Sequence, residues 1–254
     1  MRVLDVNRLC RHFGGLKAVD QVELHIDEGE VVSLIGPNGA GKTTFFNCVT
    51  GVYPPSTGSI RFLERHDIAG LASHQVTPLG MARTFQNIRL FPEMTVAENL
   101  MVGRHCRTFS GALAAILRLP GFQKEEDDTY RHALDKLRFV GLEGTEQSLS
   151  RNLSYGDQRR LEIARAMATE PRLLLLDEPA AGMNPQETNS LMELIRRIRA
   201  TGISILLIEH HMKLVMNISD RIYVLDHGVR IAAGTPAEVR ADKRVIAAYL
   251  GEEA

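Results

Sequence analysis

Alternating apolar positions open the chain. Val3, Leu4 and Val6, then Val22, Leu24 and Ile26, follow the period of half-exposed antiparallel strands. A different pattern comes next: Val31 to Ile35 is a short unbroken apolar run ending at a glycine, and Arg172 to Leu176 and Ile203 to Ile208 repeat the type. Such runs belong to strands covered on both faces of a parallel sheet. Helical stretches separate them, which predicts an α/β frame with a mostly parallel core sheet and an antiparallel β part. From about residue 88 to 168 the period changes again. Val96 to Val102, Gly111 to Leu117 and Lys124 to Val140 have helical spacing with no strand between them. The expected organisation is a single domain over 1–254, with 1–87 and 169–254 as α/β core and 88–168 as an inserted α-helical subdomain. Pro54 to Gly58 and Thr77 to Gly80 read as turns, and the charged run Phe122 to Thr129 as a solvated helix start.

Charge and cysteines narrow the function. The chain has 30 Lys and Arg against 31 Asp and Glu, so it lacks the global basic field that draws nucleic acid, and no nucleic-acid partner is expected. Cys10, Cys48 and Cys106 form no C-x-x-C pair and are odd in number, which predicts a reducing compartment and three small buried hydrophobes rather than disulfides. No apolar run approaches the roughly 20 residues of a membrane helix, and the N-terminus lacks the apolar core of a secretory signal. The expectation is a soluble chain, which still leaves open docking on something in a membrane.

The strongest chemistry lies after the first buried run. Gly36-Pro37-Asn38-Gly39-Ala40-Gly41-Lys42-Thr43 satisfies G-x-x-x-x-G-K-S/T, between a predicted strand and a helical run. Glycines let successive backbone N–H groups turn toward phosphate oxygens, and the following helix directs its positive end at the same point. Asn38, Gly39, Ala40, Gly41, Lys42, Thr43 and Thr44 are therefore the candidate nucleotide contacts. Lys42 would span the β- and γ-phosphates and the Thr43 hydroxyl would ligate Mg²⁺. Downstream, the run Leu173 to Leu176 delivers Asp177 and Glu178 at its carboxyl end, where ligands gather in open α/β sheets. Asp177 is the expected metal-shell carboxylate and Glu178 the general base for water.

Leu153-Ser154-Tyr155-Gly156-Asp157-Gln158-Arg159-Arg160 opens a helical run before that strand. It resembles the signature of the ATP-binding cassette (ABC) ATPases, usually Leu-Ser-Gly-Gly-Gln. The resemblance implies a P-loop NTPase of the ABC type, with ATP and Mg²⁺ as cofactors. It also implies that Ser154 and Gly156 present donors to the γ-phosphate of a partner subunit. Gln86, in Thr84-Phe85-Gln86-Asn87, matches the glutamine that reaches Mg²⁺ and water. His210 matches the switch histidine, Phe13 the aromatic stacked on adenine with Val19 beside it, and Ala181 to Asn184 the loop facing the partner. Three positions depart from the pattern: Tyr155 replaces a glycine, Asp157 a glutamine and Asn184 an aspartate. Asp157 should repel an anion unless it faces away or is offset by Arg159 or Arg160. His211 is assigned to the surface.

Finer similarity points to a class of transporter. Phe13 to Val19, Ala82 to Phe91, Leu153 to Gly156 and Leu176 to Pro185 are similar to one of the two ATPase subunits of bacterial branched-chain amino acid importers. That resemblance implies a second homologous ATPase (or a homodimer in isolation), two membrane permeases and, indirectly, a periplasmic binding protein. It places the chain peripherally on the cytoplasmic face of the inner membrane, with Ile88, Leu90 and Phe91 walling the permease dock. A relative moving urea or short amides would look nearly the same. A soluble cassette acting on DNA or ribosomes, the alternative class, usually carries tandem cassettes or coiled-coil insertions, which this chain lacks.

Overall fold

A computed structural model describes residues 1–108 and 120–250; the helix expected over Gly111 to Leu117 lies outside them. The chain divides into two compact units, Met1–Arg83 with Arg172–Ala254, and Thr84–Pro171. The elements before the insertion are β1 (Arg2–Phe13), β2 (Leu16–Asp27), β3 (Val31–Ile35), α1 (Lys42–Val49), β4 (Thr57–Phe62), β5 (His66–Asp67), α2 (Ser73–Val76) and β6 (Met81–Arg83). The inserted unit contains α3 (Val96–Arg104), α4 (Pro120–Val140) and α5 (Tyr155–Met167). After it come β7 (Leu173–Asp177), α6 (Pro185–Ala200), β8 (Ser204–Ile208), α7 (Met212–Ile218), β9 (Arg221–Asp226), β10 (Val229–Gly234), α8 (Pro236–Ala241) and α9 (Lys243–Leu250).

The first unit holds two sheets. One is antiparallel in the order β2-β1-β4-β5, and the other runs β10-β9-β3-β8-β7-β6. Within the second sheet only β9–β10 is antiparallel; β9, β3, β8, β7 and β6 pair in parallel. Every residue of β3, β7 and β8 is buried, as strands covered on both faces require. Their alternation sorts the two faces. Val32, Leu34, Leu173, Leu175, Leu206 and Ile208 join Phe45 and Phe46 of α1 in one cluster. Ile35, Ile222 and Val224 join Val215, Val239 and Val245 of α7, α8 and α9 in another. Each fully buried Phe or Leu contributes roughly 1.5–3 kcal/mol. Because β3, β7 and β8 are parallel, the loops at their carboxyl ends leave the same edge of the sheet. Thr57 and Gly58 open a strand rather than close a turn, since Thr57 pairs with Cys10 of β1.

In the helical unit α3, α4 and α5 pack on one another. Val96 and Leu100, Ala133, Leu137 and Val140, and Leu161 and Ala164 are buried, the spacing of one apolar helix face. Thr95 caps α3: its Oγ1 accepts the Glu98 amide at 3.2 Å, and Glu98 Oε2 accepts the Thr95 amide at 2.7 Å. The charged residues Lys124, Glu126, Asp127 and Asp128 of α4 are exposed and Glu125 is half-buried. The unit begins at Thr84 rather than at 88, because the carbonyls of Phe85 and Gln86 are bonded by Arg159 of α5. It extends to Pro171 because Thr169 closes back on Ala166 and its carbonyl accepts from Arg107. No helix among the described residues is long and apolar enough to cross a membrane.

Candidate functional site

The phosphate loop joins β3 to α1 and is shaped by what its glycines must avoid. Gly36 has φ 149° and Gly41 φ 97°. A Cβ would lie 2.1 Å from the Leu225 carbonyl oxygen at Gly36, and 2.4 Å from that of Ala18 at Gly41, so only glycine fits at either place. The loop is thereby wedged between β2 and the β9–β10 turn, whose Gly228 amide donates to Ala40 O at 3.1 Å. Lys42 starts α1 and lies buried, donating from Nζ to Gly36 O at 2.7 Å and Pro37 O at 2.9 Å. Burial pulls its pKa below the ordinary lysine value, and the Glu178 carboxylate partly restores it. Asn38, Gly39 and Thr43 are exposed, Thr44 is half-buried, and Ala40 is buried.

Asp177 ends β7 and is held by a residue that sequence reasoning gave no role. Arg83, the last residue of β6, donates from Nη2 to Asp177 Oδ2 at 2.7 Å. Its Nη1 donates to Asn47 Oδ1 at 2.7 Å and Thr50 Oγ1 at 3.1 Å. Both side chains of the ion pair are buried, 9% and 6% exposed, so one guanidinium ties Asp177 to the far end of α1. Glu178 follows with φ 47°, a left-handed conformation that costs a non-glycine residue energy and tends to occur at working sites. Its Oε1 lies 2.5 Å from His210 Nε2. Buried Glu209 braces the two loops between them: Oε1 accepts the Ala180 amide at 2.8 Å, and Oε2 accepts those of His210 and His211 at 2.8 and 3.0 Å. Its only trace in the sequence is a charge directly after the apolar run Ile205 to Ile208. His211 is exposed.

Phe13 closes β1 with 40% of its surface exposed. Its ring meets Tyr53 edge-on at 5.5 Å, and the Arg11 guanidinium lies 4.6 Å from its centroid. Tyr53 and Arg11 thus pack beside the residue predicted to stack on adenine. Val19 is fully buried within the core cluster and offers no surface to a base. Cys10 and Cys48 are buried as expected, Cys48 with its thiol pushed up to about 11 by burial. Cys106 is only half-buried; it lies in the 3₁₀ turn His105–Arg107 after α3, with its Sγ 3.7 Å from the Gly103 carbonyl oxygen. Cys10, His12 and Asp20 bring possible ligand atoms within 4.8 Å of one another. The Lys17 ammonium, 3.1 Å from Asp20, already supplies that carboxylate with a counter-charge.

In the helical unit Ser154 is the N-cap of α5, accepting the Asp157 amide at 3.2 Å. Tyr155 takes the first helical position without a positive φ, so the replaced glycine costs the backbone nothing. Gly156 is buried in the same turn. The Ser154 hydroxyl donates to Asp157 Oδ2 at 2.8 Å, and Arg160 sits 3.8 Å from Asp157 Oδ1. Of the two arginines offered to offset Asp157, Arg160 faces it while Arg159 turns inward. Gln86 is exposed. Phe91 is exposed too, its backbone amide and carbonyl both bonded to the buried Asn99 side chain. Asn184, in the core unit, caps α6 by accepting the amides of Gln186 and Glu187 at 2.9 Å each. The neutral amide thus keeps the capping bonds that an aspartate would make here.

Comparison with known proteins agrees with this geometry. The ABC transporter family profile matches residues 19–181, and a profile described as a branched-chain amino acid ATP-binding cassette transporter matches residues 229–254. The chain is 53% identical over 251 residues to the high-affinity branched-chain amino acid transport ATP-binding protein LivG of Salmonella typhimurium, with 98% of each chain covered. It is 50% identical over 251 residues to BraF, described in the same words, of Pseudomonas aeruginosa, again with 98% of each covered. A nucleotide-free ATP-binding cassette from an ABC transporter matches with TM-score 0.86 at 32% identity, covering 99% of this chain and 100% of the other. The ADP conformation of the cassette MJ1267 matches with TM-score 0.86 at 33% identity over 99% of both. With the phosphate loop, the paired acids and the signature helix each on its expected element, the chain belongs to the ABC transporter family of ATP-binding proteins.

Proposed function

We propose that the chain is the ATP-hydrolysing subunit of an importer for branched-chain or related amino acids, acting as one of two paired cassettes. The observation that carries the reading is the convergence of Lys42, Asp177, Glu178 and His210 at one edge of the core sheet, in a chain whose last residues, 229–254, match the branched-chain amino acid family. Lys42 reaches across the loop, and an arriving γ-phosphate exchanges for the carbonyls of Gly36 and Pro37 as acceptor. Glu178 takes the proton of the attacking water, and His210, already on its Oε1, fixes the carboxylate's direction. Thr43 and Asp177 are the residues to hold Mg²⁺, with Gln86 added by the family resemblance; the ion would neutralise charge on the β- and γ-phosphates. The donor set suits it: a hydroxyl and a carboxylate are hard oxygen ligands.

The second cassette would be a homologous subunit, the permeases would dock at Ile88, Leu90 and Phe91, and a periplasmic binding protein would choose the cargo. The chain would sit on the cytoplasmic face of the inner membrane. Urea or amide transport is the neighbouring reading, and the cargo assay separates them. In cells carrying the intact transporter, Lys42→Ala should abolish uptake of labelled leucine, isoleucine or valine while the permeases remain in the membrane. Undiminished amino acid uptake would reject the role, and loss of urea or amide uptake alone would move the cargo assignment.

A further inference from the structure

Residues 84–91 form neither helix nor strand, so their backbone N–H and C=O groups must find partners outside regular structure. Two charged side chains one turn apart on α5 supply several of them. Arg159 is fully buried; its Nη1 donates to Phe85 O and its Nη2 to Gln86 O, each at 2.7 Å. Glu162, 2% exposed, accepts the amides of Phe85 at 3.4 Å and Arg89 at 3.3 Å on Oε1, and Arg159 Nη1 at 2.7 Å on Oε2. Burial raises the Glu162 pKa, opposed by the guanidinium beside it and by those two amides.

Packing alone is a poor reason for this pair. An apolar couple of similar volume would fill the space without the desolvation that two buried charges incur. What an apolar couple would lack is the flat fork that meets two successive carbonyls at once, and the carboxylate that meets amides on either side of them. We propose that Arg159 and Glu162 are positioning residues for Gln86, locking the glutamine loop to the helix whose first turn carries Ser154 and Gly156. The inference rests on the role given to Gln86 above. Its consequence is that the loop expected to meet metal and water and the turn expected to meet a second subunit's phosphate move as one piece. A shift of α5 is then delivered to Gln86 without slack.

The test is a mutant cycle on the full-length chain, reading kcat, KM for ATP, nucleotide affinity by fluorescent-ATP titration and thermal midpoint. The variants are Q86A, R159M/E162M, which leaves neither charge stranded, and the combination of all three substitutions. The pair variant should keep cooperative melting and nucleotide affinity while kcat falls about 10- to 100-fold, the scale of a misplaced reacting group. Because the pair acts through Gln86, the combination should be no slower than Q86A. Should R159M/E162M fail to fold, R159K keeps the charge but not the fork and should show the same loss of kcat. Wild-type kcat in the folded pair variant, with Q86A slow, overturns the positioning role alone. Losses that multiply in the combination overturn it as well. Wild-type kcat in Q86A removes the role of Gln86 and the proposal with it.

Discussion

Two buried arginine–carboxylate pairs, one in each unit, look alike and do opposite things. Arg83–Asp177 in the core and Arg159–Glu162 in the helical unit both close at 2.7 Å, and none of the four side chains is more than 9% exposed. In the core the carboxylate is the proposed metal ligand, and the arginine holds it to Asn47 and Thr50 of the α1 region. In the helical unit neither charged residue is the working group; both hold backbone. The difference follows from what each unit offers a nucleotide. Parallel strands end in side chains at a common edge, whereas a helix start offers amides whose placement depends on the loops around them. Substitution of a working side chain should therefore spare folding, and removal of one partner alone from either pair should not.

The largest expected effect tests the first half of that contrast. Glu178→Gln should lower steady-state hydrolysis by about 10²- to 10⁴-fold with ATP affinity and thermal midpoint unchanged; wild-type turnover would remove Glu178 as the base. Arg83→Met should break the comparison differently. It strands a buried carboxylate, and loss of one partner of a buried pair costs about 3–5 kcal/mol, measurable by denaturant unfolding. Adding Asp177→Asn should recover a large part of that loss without restoring hydrolysis. An Arg83→Met protein as stable as the parent would show that the core pair holds nothing.

The smallest effect belongs to a helix start that carries none of the candidate site residues. Thr95→Ala should cost about 1 kcal/mol, the usual value of an N-cap. Bonds from the Thr95 amide and hydroxyl hold Glu98 below the ordinary carboxylate pKa. A depressed folded pKa means that Glu98's contribution is complete above the unfolded value and disappears as pH falls through the lower folded one. A carboxyl titration followed by NMR should show the Glu98 midpoint rise in Thr95→Ala.

The buried strands were legible because five apolar residues in a row admit few other readings, and the phosphate loop because its spacing states its own chemistry. The supports were not. Arg83, Glu209, Arg159 and Glu162 are charges at strand ends or beside apolar helix positions, and a pattern that scores charge as solvent assigns them outward. Only the tertiary fold shows each one buried on a named partner. The short strands β5 and β6, of two and three residues, were invisible for a different reason: no period can be read from so few positions. The boundary of the helical unit shifted to Thr84 for a related one, since backbone bonds, not side-chain polarity, assign Phe85 and Gln86 to it.

The bond from the Ser154 hydroxyl to Asp157 carries one more consequence. The first turn of α5 already contains an anion of its own, seated on the donor that an incoming phosphate would use. Under the role proposed for Ser154, docking there would be a displacement, with Asp157 as a tethered rival at high local concentration. Replacing Asp157 with glutamine would exchange that rival for a neutral one and should lengthen each encounter.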